Sequence, residues 1–217
     1  FAKYYAFLFL LPCLSPLAAA TEYFVNKHGD DANSGRGRDA AFATIQKGVD
    51  ALSPGDTLTI GPGEYYETVM RENLGSADQE TVIRAEIPGT VLLRGDIPAP
   101  QFQKVDGYQF VYGADFDEDG QTQAVYETDT LTILRSRPDI ASLEFNPGSF
   151  FHDREAKRLY ISTPDLNPVD QHHYRVSVTE ADEPRVHGLE LRNARRVVVD
   201  GLAATGFYSR TPGYLSA

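Results

Sequence analysis

The chain reads as a succession of short apolar runs separated by turn-forming residues. Residues 22–25, Glu-Tyr-Phe-Val, have the pattern of a short strand, and a polar loop rich in Gly, Asp and Asn follows over 26–39. Over 44–52 the apolar residues fall at Ile45, Val49 and Leu52, which is helical spacing. Thr44 or the residue before it stands at the N-cap, and Pro54-Gly55-Asp56 ends the helix. Residues 57–60 alternate as a strand, and Gly61-Pro62-Gly63 turns it. Strand-like runs at 67–69, 81–85 and 91–93 follow, each bounded by Gly, Pro, Asp or Asn. The starts at 57, 68, 81 and 91 step by 11, 13 and 10 residues. The rhythm returns near the end, where 188–193 is echoed 13 residues later by 201–206, with Val197-Val198-Val199-Asp200 between them.

Many short strands at even spacing predict a sandwich, a barrel or a solenoid. Two features favour the solenoid. The strands are very short, and no two-residue Asn-Gly or Asp-Gly hairpin joins the early ones. The helix ahead of strand 57–60 would also cover an open end of a stacked coil. Between 97 and 184 the pattern changes. Residues 102–112 and 124–135 read as longer strands, and 174–178 as another. Ser149-Phe150-Phe151-His152, a turn over 153–157 and a strand over 158–162 read as a hairpin. This is the pattern of a small antiparallel β unit inserted between coils; the alternative is a set of long loops in one domain.

The first twenty residues stand apart. Lys3 precedes the apolar run 4–11, Pro12 and Pro16 break it, and Ala18-Ala19-Ala20 follows. This is the pattern of a secretory signal peptide cleaved after Ala20. The run is shorter than the roughly 20 apolar residues of a spanning helix, and the two prolines count against a buried N-terminal helix. Cys13 suggests a lipoprotein, but Pro12 occupies a position where a small residue is expected.

Cleavage changes the composition. Removing the signal takes the chain from 217 residues to 197, and the loss of Lys3 leaves 19 Lys and Arg against 31 acids, a net charge of −12. The only cysteine goes with the signal. The mature chain then has no disulfide, no Cys-ligated metal site and no Cys nucleophile. The remaining composition excludes disorder, collagen and a disulfide scaffold. The negative charge disfavours nucleic acid as a partner. The expectation is a secreted or periplasmic monomer with no stable membrane insertion after cleavage.

Within 22–69 the segments Tyr23-Phe24-Val25, Gly29-Asp30-Asp31-Ala32-Asn33-Ser34-Gly35 and Ala41-Phe42-Ala43-Thr44-Ile45-Gln46-Lys47-Gly48-Val49 follow one another. Pro54-Gly55-Asp56-Thr57-Leu58 and Pro62-Gly63-Glu64-Tyr65-Tyr66-Glu67-Thr68-Val69 complete the block. As a block it resembles the opening of right-handed parallel β-helix proteins of the pectate-lyase-like superfamily. Residues 186–207 resemble a later coil, with Val199-Asp200-Gly201-Leu202 as the turn into a strand. Pro147-Gly148-Ser149-Phe150-Phe151 and 157–165 resemble the β insert of some large secreted members. The resemblance implies an all-β fold: a right-handed parallel β-helix with a short N-terminal capping helix and an inserted antiparallel β unit. The expected layout is signal 1–20, cap and first coils 21–96, insert 97–184, and resumed coils 185–217. It also implies a secreted protein that handles carbohydrate, because the superfamily includes polysaccharide lyases, glycoside hydrolases and epimerases. The chain starts at Phe1 and ends at Leu215-Ser216-Ala217 with few coils after the insert and no visible cap. The expectation is an N-terminal fragment whose main catalytic coils lie beyond it.

The sharpest local motif is Asp115-Phe116-Asp117-Glu118-Asp119-Gly120. Alternating oxygen ligands followed by Gly match the first half of a calcium loop, which makes Asp115, Asp117 and Asp119 candidate Ca²⁺ ligands. The closing acid of such a loop falls on Tyr126, one short of Glu127, and a solvated acidic loop is the alternative. His28, Asp30 and Asp31 read either as a metal cluster or as loop residues bonding their own backbone. His152, His172-His173 and His187 lack zinc spacing and are expected at surfaces or interfaces.

A glycosidase needs paired carboxylates, which sequence alone cannot pair across coils. A lyase needs a base, Lys or Arg by resemblance, and Arg195, Arg196 and Arg210 are available. Tyr208-Ser209-Arg210 follows the last strand, and Tyr208 and Arg210 are the catalytic candidates. No G-x-S-x-G elbow and no phosphate-binding glycine loop is present. Tyr65-Tyr66 and Tyr108 are either sugar platforms or core. The reading is a secreted lyase or glycoside hydrolase acting on a polysaccharide. The alternatives are a non-catalytic β-helix for glycan binding, adhesion or display, and a β-sandwich without a solenoid.

Overall fold

The structure is a computed structural model that describes residues 19–118, 120–179 and 187–207. The expected export signal lies outside these except for its last two residues, as do Asp119, Tyr208 and Arg210.

The strands in chain order are β1 (Glu22–Val25), β2 (Thr57–Ile60), β3 (Gly63–Tyr65), β4 (Val69–Glu72), β5 (Thr81–Ala85) and β6 (Val91–Arg94). Next come β7 (Asp96–Pro98), β8 (Gln103–Lys104), β9 (Tyr112–Asp115), β10 (Gln121–Glu127), β11 (Thr132–Ile133) and β12 (Arg135–Ser136). The last are β13 (Ser149–Asp153), β14 (Arg158–Ser162), β15 (Tyr174–Thr179), β16 (Leu189–Arg192), β17 (Val197–Asp200) and β18 (Leu202–Thr205). Helix α1 spans Ile45–Ala51 and α2 spans Ile140–Glu144. The protein is all-β.

Three sheets are wholly parallel: β1-β2-β5-β17, β3-β6-β18 and β4-β16. After β1 the chain visits them in one order, β2, β3, β4, then β5, β6, β16, then β17, β18. Register stacks like on like. Tyr23, Leu58, Ile83 and Val199 align across the first sheet, as do Val25, Ile60 and Ala85. Alternation turns Leu58, Ile60 and Ile83 into one core with Tyr65, Val69, Val91 and Leu93. Each such side chain contributes about 1.5–3 kcal/mol by leaving water. At the corner after β4 the chain turns through Asn73, and after β16 through Asn193, both left-handed (φ 56° and 52°). Asn enters this region more readily than most residues. The Asn73 amide donates to the Arg192 carbonyl, which locks the two corners together.

Helix α1 sits against the edge of this stack. Thr44 is its N-cap, accepting from the Lys47 amide. The Glu67 carboxylate accepts from the Ile45 and Gln46 amides, satisfying two donors that a helix N-terminus leaves open. The Gln46 side-chain amide accepts from Met70 N and donates to Met70 O, which closes the free edge of β4. Ile45, Gly48 and Val49 are buried. A Cβ at Gly48 would come within 2.7 Å of Leu58, so only glycine lets the helix approach this closely.

Residues 96–179 supply two further sheets. One is β11-β10-β15-β7, all antiparallel; the other is β12-β13-β14-β9-β8, antiparallel apart from β12 and β13. Their shared core holds Phe116, Val125, Leu134, Phe150, Leu159, Ile161, Tyr174 and Val176. The hairpin expected over 149–162 is present as β13 and β14.

Several elements differ from the sequence reading. The strand expected over 102–112 shrinks to β8 and a turn at the left-handed Gly107, with β9 starting at Tyr112. The strand expected over 124–135 breaks into β10, β11 and β12 around the left-handed Leu131. Gly63, expected in a turn, opens β3, and the strand expected from Glu67 begins at Val69 because Glu67 is drawn away to cap α1. Helix α2, capped by the Asp139 carboxylate, has no counterpart in the sequence reading. Its five residues are too few for periodicity to register.

Candidate functional site

Two antiparallel strands build the site. Glu127 ends β10 and Tyr174 begins β15, and the two are paired in register, so their side chains share a face. The segments flanking this pair are clamped. The Thr128 amide donates to the His173 carbonyl at 2.8 Å, and the His173 amide donates to the Asp129 carboxylate at 2.8 Å. His172 follows the 3₁₀ turn Val169–Gln171, and its own amide bonds back to the Val169 carbonyl. The clamp and the turn together set the His172 ring between two carboxylates. Its Nδ1 is 2.9 Å from Glu127 Oε1, and its Nε2 is 3.2 Å from Asp165 Oδ1, off the angle of a hydrogen bond.

Burial divides the group. The Glu127 side chain is 2% exposed and that of His172 10%, whereas Asp165 and Asp129 reach solvent. The Asn167 amide, bonded to the Asp165 carboxylate, holds its pKa below the usual aspartate range, and the His173 amide does the same for Asp129. Tyr174 is 8% exposed, and its hydroxyl has no hydrogen-bond partner among the described residues. Burial, then the charges of Glu127, Asp165 and Asp129, push its phenol pKa well above the ordinary value.

A cavity of about 540 Å³ opens beside this group, lined by Pro98, Phe102, Asp170, His172, His173 and Tyr174 among others. Its size falls in the range of small-molecule sites, roughly 300–1,000 Å³. Phe102 meets the Tyr174 ring edge to face at 6.1 Å. The cavity thus offers aromatic faces next to hydrogen-bonding groups. Glu127, Asp129 and His172 each present one ligand atom, all within 4.8 Å of one another, and among the described residues this is the group that could hold a metal ion.

The residues singled out from the sequence lie elsewhere. Asp115, at the end of β9, is 93% exposed and bonds Arg158 at 3.0 Å. Asp117 is exposed and ion-paired with Lys157. Asp30 accepts from the Ala32 amide beside it in the chain, whereas Asp31 reaches the Ala43 and Thr44 amides and the Thr44 hydroxyl, 12 and 13 residues on, and so ties the loop to the start of α1. Tyr65 is core, with its hydroxyl donating to the Gly61 carbonyl. Tyr66 is 46% exposed, with Lys27 over its ring. Of the His172-His173 pair, His173 is exposed as expected, but His172 is not. What hid His172 is separation: its partner Glu127 is 45 residues away, and only the pairing of β10 with β15 brings them together.

No family model and no curated protein matches the sequence. Among solved structures, the complex of XylC with xylose matches 85% of this chain and 40% of its own, at 13% identity and a TM-score of 0.57. A glycoside hydrolase matches 85% of this chain and 51% of its own, at 13% identity and a TM-score of 0.51. The chain therefore spans about half the length of these structures or less, and what it shares with them is the all-β fold. Among the described residues, no helix is long and apolar enough to cross a membrane.

Proposed function

We propose that this chain belongs to a secreted carbohydrate-active protein built on a right-handed parallel β-helix, with residues 97–184 as an inserted antiparallel unit. The three parallel sheets, visited in a repeated order, are read as the faces of that helix. The observation that carries the functional reading is the shared fold over 85% of the chain with a protein solved in complex with xylose. The second neighbour, a glycoside hydrolase, favours glycosidic hydrolysis over elimination. The cavity beside Phe102, His172 and Tyr174 is a place where a sugar would lie against aromatic rings. The main catalytic carboxylates would then come from coils beyond this chain. The export-signal pattern of 1–20 supports a location outside the cytoplasm.

The test is incubation of the exported protein, with its native flanking sequence, with a panel of neutral and acidic polysaccharides and short xylose oligomers. New reducing ends without ultraviolet absorbance are expected. Unsaturated, absorbing products would convert the reading to a lyase. Glycan binding without turnover would convert it to a non-catalytic module, and the absence of both would overturn it.

A further inference from the structure

We propose that Glu127, Asp129 and His172 bind one divalent first-row transition-metal ion, of the manganese or zinc class, at the rim of the Tyr174 cavity. This does not rest on the carbohydrate reading. Two carboxylates balance the charge of a divalent ion, and an imidazole beside them favours a transition metal over calcium or magnesium, which prefer all-oxygen sets. The ligand atoms lie within 4.8 Å of one another. Ligands at roughly 2.0–2.2 Å from an ion lie up to about 4 Å apart, so small side-chain rotations complete the set. The set is also held in place, because the Thr128 amide donates to the His173 carbonyl and the His173 amide donates to the Asp129 carboxylate, which ties the two ligand-bearing segments.

A second, independent observation points to a ligand here. Tyr174 is 92% buried, and its hydroxyl has no hydrogen-bond partner among the described residues. It stands opposite Glu127 in the β10–β15 register, and its ring centroid is 6.1 Å from that of His172. A buried hydroxyl left unpaired is unfavourable. A water carried by a bound ion would pair with it. His172 lines the cavity as well as the cluster, so the ion would meet whatever the cavity takes.

The experiment uses the whole purified chain, stripped with a chelator and dialysed. Manganese is titrated and followed by loss of the free-ion paramagnetic resonance signal, and zinc is followed by competition. One ion per chain is expected. Asp129→Asn removes an exposed carboxylate and leaves the core intact, and His172→Gln removes the imidazole. Each is expected to weaken binding by a factor of about 10 or more, since removing even a group that only supports a metal ligand costs about 10–100-fold. Asp115→Asn, in the acidic loop, is expected to leave affinity unchanged. Absence of binding would overturn the proposal. So would affinity unchanged in Asp129→Asn, or binding lost in Asp115→Asn and kept in the other two.

Discussion

At the scale of single residues, position in the fold decides what a side chain does. His152 carries no local motif, and in the structure it packs edge-on against Phe116 at 5.2 Å. Its Nδ1 meets the Thr122 hydroxyl at 2.9 Å, and its Nε2 is buried without a partner among the described residues. Burial, followed by the nearby Arg154 charge, lowers its pKa. The unfolded chain therefore takes up this proton first, at a pH near 6.5. Stability linked to His152 is complete above that pH and is lost as pH falls through the lower folded value. Urea unfolding between pH 5 and 8 is expected to show this loss in the native chain and a flatter profile in His152→Gln. Identical profiles would refute the assignment. The corner residues tell a similar story: the match of Asn193 with Asn73 appears only when β16 pairs with β4.

At the scale of elements, α1 was readable because its apolar spacing and Thr44 cap are local signals. The second cap was not, because Glu67 lies 22 residues from the Ile45 amide it serves. The burial that comes with this role raises the Glu67 pKa. Glu67→Ala is expected to lower stability by about 1 kcal/mol, within the range for a lost helix cap. Glu67→Gln keeps an acceptor oxygen and is expected to lose less. Chemical denaturation midpoints measure both, and an unchanged Glu67→Ala would mean that Thr44 alone caps the helix. The long strands expected over 102–112 and 124–135 failed for the opposite reason. Their composition suits strands, but turns at Gly107 and Leu131 redirect the chain to neighbours that sequence does not name.

At the scale of the whole molecule, a single buried carboxylate joins the parallel stack to the antiparallel sheets. Asp96 is fully buried and bonds Arg94 at 2.8 Å and Arg175 at 2.7 Å, and it accepts from the Tyr126 hydroxyl. Arg94 belongs to β6 of the stack, and Arg175 to β15 of the other region. Gly206 passes so close that a Cβ would come within 2.3 Å of the Asp96 carboxylate. Asp96→Ala would take the carboxylate away from two largely buried guanidinium groups, leaving Arg94 its other ion pair, with Glu64. A loss of about 3–5 kcal/mol is expected, the scale for breaking one side of a buried ion pair. Calorimetry of the variant checks this. A loss under about 1 kcal/mol, typical of exposed pairs, would show that solvent reaches the node.

Short-range physics made much of this protein legible in advance. Alternation, helical spacing, caps and turn formers act within a few residues, so the sequence by itself determined the short strands, the first helix, the hairpin and the all-β character. The gathering of distant residues was decided only by tertiary structure. Glu127 meets His172, Arg94 and Arg175 meet Asp96, and Glu67 meets α1 because strand register and sheet order bring them together. Register depends on how whole apolar faces pack against one another. That energy is summed over many side chains, and no motif of a few residues carries it.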